Sequence, residues 1–336
     1  MNTVNRNSIG NVNPDVTFLD SAITGLTAPQ KNMSPKFLYD PEGSALFERI
    51  CELEEYYVTR TEAQILQNNV KEIASSLGAP SILIEYGSGN SSKTEIVLAN
   101  LRPWPVYVPI DVSQDALHAA LRRLTRSFNG LDVLPVCADY TSPFDLPEPA
   151  LRKSNLHSSR TGHAGRAAMI LGSTIGNFEP DQLINFLSQC RRTLLGGKLL
   201  LGVDLPKDRE ILESAYNDRE GVTAQFNLNL LARMNKELDA HFQINRFFHK
   251  AIYNEEKSRI EMHLVSREDQ IVNIGSTIIR FTRGESIHTE SSYKYSIEKF
   301  YKLAALAGFR SVQTWTDSRQ LFSLHLLKAT SSEHLR

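Results

Sequence analysis

The chain has 336 residues, 41% hydrophobic and 22% charged, which is enough for one large core or two moderate ones. Its formal net charge of −1 excludes the strongly basic surface of most nucleic-acid-binding proteins, so neither nucleic acid nor an anionic membrane is expected as a partner. No run approaches the ~20 apolar residues of a membrane span, and three widely spaced cysteines favour a reducing, cytoplasmic setting.

The first predicted elements alternate between helices and buried strands. A polar, Asn-rich start predicts a flexible arm over residues 1–15. Apolar spacing predicts a helix from Glu62 to about Leu77, and the apolar run SILIEYG is typical of a buried parallel strand. Helices then alternate with four more strands, which are VYVPIDV, DVLPVCADY, AAMILGSTIG and KLLLGVDL. This alternation predicts a doubly wound parallel sheet. The Ser/Gly-rich stretch 152–166 predicts a solvated loop before the fourth strand.

After Pro206 the pattern changes. Two helical segments precede the extended pieces FFHKAIYN, RIEMHLVSR, IVNIGSTIIRF and ESIHTESSYKYS, which predict a small appended sheet. The chain then returns to the edge of the first sheet through a helix, IEKFYKLAALAGF, and two strands, RSVQTWTD and FSLHLLKA. We therefore expect an α/β fold with a Rossmann-like domain over 62–206 plus 295–330. A second, smaller α+β domain is expected over 16–61 plus 207–294.

The loop in IEYGSGNSSKTEIVL, residues 84–98, has two incompatible interpretations. As a phosphate-binding G-x-x-x-x-G-K-T loop it lacks its second glycine, because Ser92 stands there. As a dinucleotide G-x-G-x-x-G loop it lacks its third glycine for the same reason. What remains is a glycine turn after a strand that carries Glu85, with Lys93 and Thr94 in the first turn of the following helix.

Acidic residues follow the next two predicted strands. Asp111 ends the second strand, 24 residues beyond Gly87, where a carboxylate can accept both ribose hydroxyls of a nucleoside. Asp139 and Tyr140 end the third strand, where an adenine would lie. This arrangement favours an adenosine ligand without a pyrophosphate, of which S-adenosylmethionine is the common one. The alternative is that the glycines serve only the turn and that the aspartates cap helices.

Long stretches of the chain resemble one family. PKFLYDPEGSALFERICELEEYYVTRTE (residues 35–62) and LGSTIGNFEP (171–180) are similar to the histidine N-alpha-methyltransferases of ergothioneine biosynthesis, which form hercynine. The resemblance continues through LLLGVDLPKDREILESAYND, SRIEMHL and GESIHTESSYKY. It departs where Leu53-Glu54-Glu55 replaces the family's usual Leu-Pro-Glu. It implies a Rossmann-like methyltransferase sheet, S-adenosylmethionine as methyl donor, and a smaller domain that binds L-histidine.

The resemblance also implies site residues. By motif, the residues expected to contact S-adenosylmethionine are Gly87, Lys93, Asp111, Asp139 and Tyr140. Those expected around histidine are Tyr56, Asn177, Tyr216, Glu290 and Ser292, with Tyr39 and Met262 lining the same pocket.

Physical reasons support several of these roles. Asn177 follows the fourth strand, and its amide can hold a carboxylate or an amine. Tyr56 and Tyr216 can donate hydroxyl hydrogens to a carboxylate, and the ring of Tyr39 can face a methylated ammonium. Glu290 and Ser292 alternate along an extended segment, which places them on one face of it. A carboxylate and a hydroxyl together can satisfy both nitrogens of an imidazole.

Other classes of function stay open at this point. A related enzyme could methylate a tryptophan-type substrate, and a regulator could bind S-adenosylmethionine without catalysis. The neutral charge and the lack of an Asn-Pro-Pro-Tyr-like motif disfavour a protein or nucleic-acid methyltransferase. We expect a monomer that acts on a small molecule. No metal is expected, because metal-ligand spacing is absent among His157, His163, His241, His249 and His263.

Overall fold

A computed structural model of the chain describes residues 17–142, 144–161 and 165–330, with the side chains of 157–161 left out. The arm predicted over residues 1–15 therefore lies outside the described residues, as do His163 and the side chain of His157. Within the described ranges no helix is long and apolar enough to cross a membrane.

Between residues 17 and 81 three α-helices precede the first strand, and strands and helices then alternate from residue 82 to residue 204. The helices are α1 (Phe18–Thr27), α2 (Pro41–Glu52), α3 (Tyr57–Leu77), α4 (Ser92–Leu98), α5 (Gln114–Ser127), α6 (Glu148–Thr161), α7 (Pro180–Leu194), α8 (Arg209–Tyr216), α9 (Val222–Leu238) and α10 (Ile297–Leu306). The strands are β1 (Ile82–Tyr86), β2 (Val106–Asp111), β3 (Val136–Cys137), β4 (Arg166–Ile170), β5 (Lys198–Asp204), β6 (Phe247–Asn254), β7 (Arg259–Ser266), β8 (Gln270–Ile274), β9 (Thr277–Phe281), β10 (Ser286–Tyr293), β11 (Phe309–Thr316) and β12 (Phe322–Ala329).

The main sheet has seven strands in the order β11-β12-β5-β4-β1-β2-β3. Strands β1 to β5 pair in parallel, whereas β12 runs antiparallel to β5 and pairs with β11 at the edge. All five residues of β1 are buried, as expected for a parallel strand covered on both faces. The sheet confirms the predicted Rossmann-like fold, including the return of the last two strands to its edge.

The segment after β5 forms two smaller antiparallel sheets. One contains three strands in the order β10-β7-β6, and the other is the β8–β9 hairpin. The stretch IVNIGSTIIRF, read from the sequence as one extended piece, is this hairpin. Its chain reverses at Gly275, whose φ of +54° lies in the left-handed region. Helices α8 and α9 pack against β6 and β7.

Three local predictions were wrong. Helix α3 begins at Tyr57, five residues before the predicted start at Glu62. The third strand is only Val136–Cys137, although Val133 makes an isolated bridge to Tyr107. The stretch 152–166 is helical as far as 161, as part of α6.

Helix α6 was not predicted because its sequence is mostly polar and only a narrow face of the helix is buried. Pro149 in the first turn suits a helix start, and Ala150 and Ser154 are buried one turn apart. Ser154 also shares a 2.7 Å hydrogen bond with Ser81, next to β1. These tertiary contacts stabilise a helix whose sequence has only a weak helical periodicity.

Candidate active site

The glycine turn after β1 is tied to the end of β2. Gly87 (φ +69°) donates its N–H to the Ile110 carbonyl at 2.9 Å, and Gly89 (φ +49°) donates to Asp111 Oδ2 at 2.8 Å. The other oxygen of Asp111 accepts from the Ser113 N–H at 2.9 Å. Burial raises the pKa of Asp111 above its ordinary value, although these bonds oppose the shift. Asp111 therefore shapes the turn, and its carboxylate keeps lone pairs for a ligand.

Helix α4 is anchored to β1 through a buried carboxylate. Glu85 accepts hydrogen bonds from Thr94 Oγ1 at 2.6 Å and from the Tyr107 hydroxyl. Burial raises the pKa of Glu85 to about 7, against the effect of these two donors. Because Ser92 opens α4, Lys93 and Thr94 lie in its first turn. This arrangement is the glycine turn followed by a helix start that the sequence predicted.

Lys93 pairs with Glu62, a fully buried residue of α3 that the sequence did not identify. Glu62 Oε2 also accepts the Gly172 N–H at 2.8 Å, which links α3 to the loop after β4. Space for this carboxylate depends on Gly202, where an added Cβ would lie 2.1 Å from Glu62 Oε1. The Lys93 ammonium is thus held at the carboxyl end of the sheet, and it has two hydrogens left to donate.

Asp139 and Tyr140 follow β3 at the same edge. Asp139 accepts from the Lys36 ammonium at 2.9 Å and from the Thr141 N–H at 3.0 Å. Burial acts to raise the pKa of Asp139, but bonds from Thr141 and Lys36 outweigh it and lower that pKa. The ring of Tyr140 packs against Phe186, with 5.6 Å between centroids. The Lys36 contact brings the segment before α2 to the edge of the sheet.

Glu290 and Met262 lie opposite each other on β10 and β7, so their side chains share one face. Both are buried, and the Asn177 amide reaches Glu290 Oε2 at 3.5 Å from the turn after β4. Burial raises the pKa of Glu290 to about 7, although Lys294 acts in the opposite direction. Thr289 sits in a β-bulge, yet Glu290 and Ser292 keep their common face, as the sequence predicted.

Gly176 allows the turn after β4 to touch β10. A Cβ at this position would lie 3.0 Å from the Tyr293 carbonyl and 3.4 Å from Ser292 Oγ. We expect Gly176→Ala to push the Asn177 turn away from Glu290 and to weaken ligand binding there at least ~10-fold. Isothermal titration with histidine measures this, with Gly165→Ala as the control, since no atom lies within 4 Å of a Cβ at Gly165. Equal affinities of the two variants would contradict the expectation.

The buried charge of Glu290 is expected to lower the stability of the ligand-free protein. Its folded-state pKa of about 7 exceeds the ordinary carboxyl value, so the stabilising protonated form is lost as pH rises from about 4.5 to 7. Glu290→Gln should therefore raise the free energy of unfolding by about 3 kcal/mol at pH 8 and leave it unchanged at pH 4. Urea unfolding at both pH values measures the difference. Glu256→Gln, at an exposed position, is the control. A Glu290→Gln variant no more stable than wild type at pH 8 would refute this.

A buried polar cluster lies directly behind Ser292. The Tyr216 hydroxyl donates to Ser292 Oγ at 2.8 Å, and Lys294 contacts both hydroxyls. Asp204, at the end of β5, pairs with Lys294 at 2.7 Å and with Lys207 at 2.6 Å. To donate to a carboxylate of the substrate, as predicted, the Tyr216 hydroxyl would have to give up its hydrogen bond to Ser292.

Aromatic rings cluster near Glu290, whose charge contributes, after burial, to the raised pKa values of Tyr39 and Tyr56. Tyr39 makes edge contacts with Phe47 and Phe226, each with 5.5 Å between centroids, and Tyr56 packs edge-on to Tyr216 at 6.0 Å. The sequence identified the three tyrosines but not the two phenylalanines. Phe47 and Phe226 lie on the amphipathic helices α2 and α9, where an apolar residue is indistinguishable from core.

Charges from both groups of residues, at the sheet edge and on β10 and β7, act on Tyr39. Burial, followed by the charges of Glu290, Tyr140, Cys51 and Asp111, raises the pKa of Tyr39 well above its ordinary value. Glu290 likewise contributes to the raised pKa of Tyr140, after burial and the two aspartates. The Asn177 amide, in the turn after β4, reaches Glu290 Oε2 at 3.5 Å, so the residues at the sheet edge and those on β10 and β7 lie near one another.

The histidines named here make structural contacts or are exposed. His249 is held by the Asn227 amide at 2.9 Å and by the Tyr216 carbonyl at 2.8 Å, whereas His241 is exposed. His263 stacks on His288 at 5.0 Å between centroids. Among the residues that the structure describes, no group of three or more His, Cys, Asp or Glu side chains could hold a metal ion.

Comparison with known proteins identifies the family. Residues 18–329 match the model of the family described as histidine-specific, S-adenosylmethionine-dependent methyltransferases. A histidine N-alpha-methyltransferase of Mycolicibacterium smegmatis is 40% identical over 309 residues, which are 90% of this chain and 92% of that protein. One from Mycobacterium tuberculosis is 38% identical, with the same shares covered.

A third relative is larger. Ergothioneine biosynthesis protein 1 of Neurospora crassa is 30% identical over 92% of this chain, which aligns with 35% of that protein. These findings confirm the resemblance predicted from the motifs. The chain belongs to the histidine-specific, S-adenosylmethionine-dependent methyltransferases.

Proposed function

We propose that the protein transfers three methyl groups in succession to the α-amine of L-histidine and thereby forms hercynine for ergothioneine biosynthesis. The observation that carries this proposal is the contact between the two groups of residues, in which the Asn177 amide at the sheet edge reaches Glu290 Oε2 on β10 at 3.5 Å. One interior space then serves both ligands. The names of the relatives support the substrate and the pathway.

The donor set at the sheet edge fits S-adenosylmethionine. Asp111 can accept the ribose hydroxyls, and Asp139 and Tyr140 can bind and cover the adenine. Lys93, with Glu62 behind it, can hold the methionine carboxylate by a charge-assisted bond. The carboxylates also favour a cationic ligand. When bound, S-adenosylmethionine supplies an electrophilic methyl group on a positively charged sulfur.

Histidine would occupy the space between β10 and the aromatic rings. Glu290 and Ser292 bind the imidazole nitrogens, and Met262 packs beside the ring. Tyr56 and Asn177 hold the α-carboxylate and orient the amine. The rings of Tyr39, Phe47 and Phe226 can accommodate the growing methylammonium, because a cation is attracted to aromatic faces.

Positioning is the main catalytic contribution available to these residues. The α-amine must be neutral to attack, and its nitrogen must approach the methyl carbon to about 3 to 3.5 Å on the line through sulfur. Such alignment can supply roughly 7 to 11 kcal/mol of the barrier. The buried tyrosines have raised pKa values, so their hydroxyls stay protonated and orient the ligands without competing for the methyl group.

The two ligand groups also support the division of the chain. The cofactor residues lie in the Rossmann-like domain proposed over 62–206 plus 295–330. Most histidine contacts lie in the second domain, over 16–61 plus 207–294. The near-neutral charge disfavours a nucleic-acid partner, and the three widely spaced cysteines favour a reducing, cytoplasmic setting. We propose a monomer that acts on a small molecule.

Mass spectrometry tests the proposal directly. The protein is incubated with S-adenosylmethionine and each amino acid in turn, and products are analysed over time. Histidine should gain one, two and finally three methyl groups, and tryptophan should gain none. A protein that binds S-adenosylmethionine but methylates no amino acid, or methylates tryptophan instead, would refute it.

A further inference from the structure

Lys294 is a fully buried lysine with three acceptors around its ammonium. Its Nζ lies 2.7 Å from Asp204 Oδ2, 2.8 Å from Ser292 Oγ and 3.2 Å from the Tyr216 hydroxyl. Burial tends to lower its pKa, but the Asp204 carboxylate outweighs this and raises it. Because an ammonium has three donors and no acceptor, each of these neighbours must accept a hydrogen from Lys294.

The orientation of the two hydroxyls follows from this. Tyr216 accepts from Lys294 and donates its own hydrogen to Ser292 Oγ at 2.8 Å. Ser292 Oγ therefore accepts two hydrogen bonds, from Lys294 and Tyr216, and a hydroxyl has only two lone pairs. Its single hydrogen is the only part left for a ligand. Ser292 can donate to the pocket and cannot accept from it.

We propose that Lys294 is a positioning residue that makes Ser292 a permanent donor, so that the site binds histidine as a neutral imidazole in one tautomer. The inference rests on the proposed function. One ring nitrogen carries the hydrogen that Glu290 accepts, and the other is bare and accepts from Ser292. An indole or an imidazolium has no bare nitrogen, so it would leave the Ser292 hydrogen unpaired in a buried site, which disfavours binding.

Nitrogen NMR of the wild-type complex tests the polarity of the site. Histidine labelled with 15N in its ring is bound to the protein in the presence of S-adenosylhomocysteine, and the two ring shifts are recorded. One protonated and one bare nitrogen in a single tautomer are expected. Two protonated nitrogens, or the tautomer mixture of free histidine, would overturn the inference.

Variants test the part assigned to Lys294. In Lys294→Met, Asp204 keeps Lys207 and Tyr57 as partners, while Ser292 regains a free lone pair. Histidine should bind about 10-fold more weakly, and its single tautomer should be lost. Lys250→Met is the control, since Lys250 is exposed on β6 of the same small sheet. A Lys294→Met complex that keeps the single tautomer would contradict the role.

A second variant covers the case in which Lys294→Met does not fold. Ser292→Ala removes the donor, while Lys294 keeps Asp204 and Tyr216 as acceptors. The bound ring should again lose its single tautomer, and retention of that tautomer would count against Ser292 as the donor. Failure of the proposed function looks different. In that case labelled histidine would show no bound signal with any variant or with the wild type.

Discussion

Replacing Glu290 by alanine is expected to lower histidine affinity about 100-fold while S-adenosylmethionine still binds. Glu290 is a buried carboxylate on β10, opposite Met262, and it accepts a hydrogen bond from the Asn177 amide at 3.5 Å. A charge-assisted bond to the imidazole N–H would be lost, and a cavity would take its place. Calorimetric titration with each ligand separately measures both affinities.

The matched control for this prediction is Glu256→Ala, which alters an exposed carboxylate in the turn after β6. It should bind both ligands as the wild type does. Unaltered histidine binding by Glu290→Ala would mean that Glu290 does not contact the substrate. Loss of both ligands together would instead indicate collapse of the site.

The largest stability effect is expected for Asp204→Ala. This carboxylate is shared by the ammonium groups of Lys294 and Lys207, both nearly or fully buried, and it accepts the Tyr57 hydroxyl at 2.8 Å. Removing it leaves two buried ammonium groups without a neutralising carboxylate, which costs about 3 to 5 kcal/mol. Denaturant unfolding at pH 7 measures the change. Asp145→Ala, at an exposed position, should change the free energy of unfolding by less than about 0.5 kcal/mol.

The pH dependence gives this prediction a second test. Burial opposes ionisation of Asp204, but Lys294 and Lys207 outweigh it and lower its pKa below the ordinary value. Its stabilising contribution is therefore present above pH ~4 and is lost as pH falls through the lower folded-state pKa. The difference between wild type and Asp204→Ala should shrink in strong acid. A difference that is absent at pH 7 would contradict the assignment.

Much of the main sheet is predictable from the sequence because its strands are short, largely apolar runs that end next to glycine or acidic residues. β1 and β5 are examples, with every residue of β1 buried. The β8–β9 hairpin is less visible, since Gly275 breaks a run that otherwise reads as one strand. Helix α6 is hidden because its stability comes from contacts such as Ser154 with Ser81, more than seventy residues apart.

The site residues likewise include some that are recognisable from the sequence and some that are not. Asp111 and Asp139 are recognisable because they end successive parallel strands, and ligands of open α/β sheets bind at that edge. Glu62 and Lys294 are not recognisable, since a lone charge in a sequence usually indicates a solvated face. Their partners, Lys93 and Asp204, are distant in the chain. The spacing of Glu290, Ser292 and Lys294 at every second residue was the one sequence signal that could have identified Lys294.

We expect both ligands to occupy one interior space between the sheet edge and β10. A crystal structure of the protein with S-adenosylhomocysteine and histidine tests this arrangement. In it, the α-amine should face the sulfur with room for one methyl carbon between them, about 3 to 3.5 Å from the nitrogen. Histidine bound elsewhere, or an amine turned away from the sulfur, would contradict it.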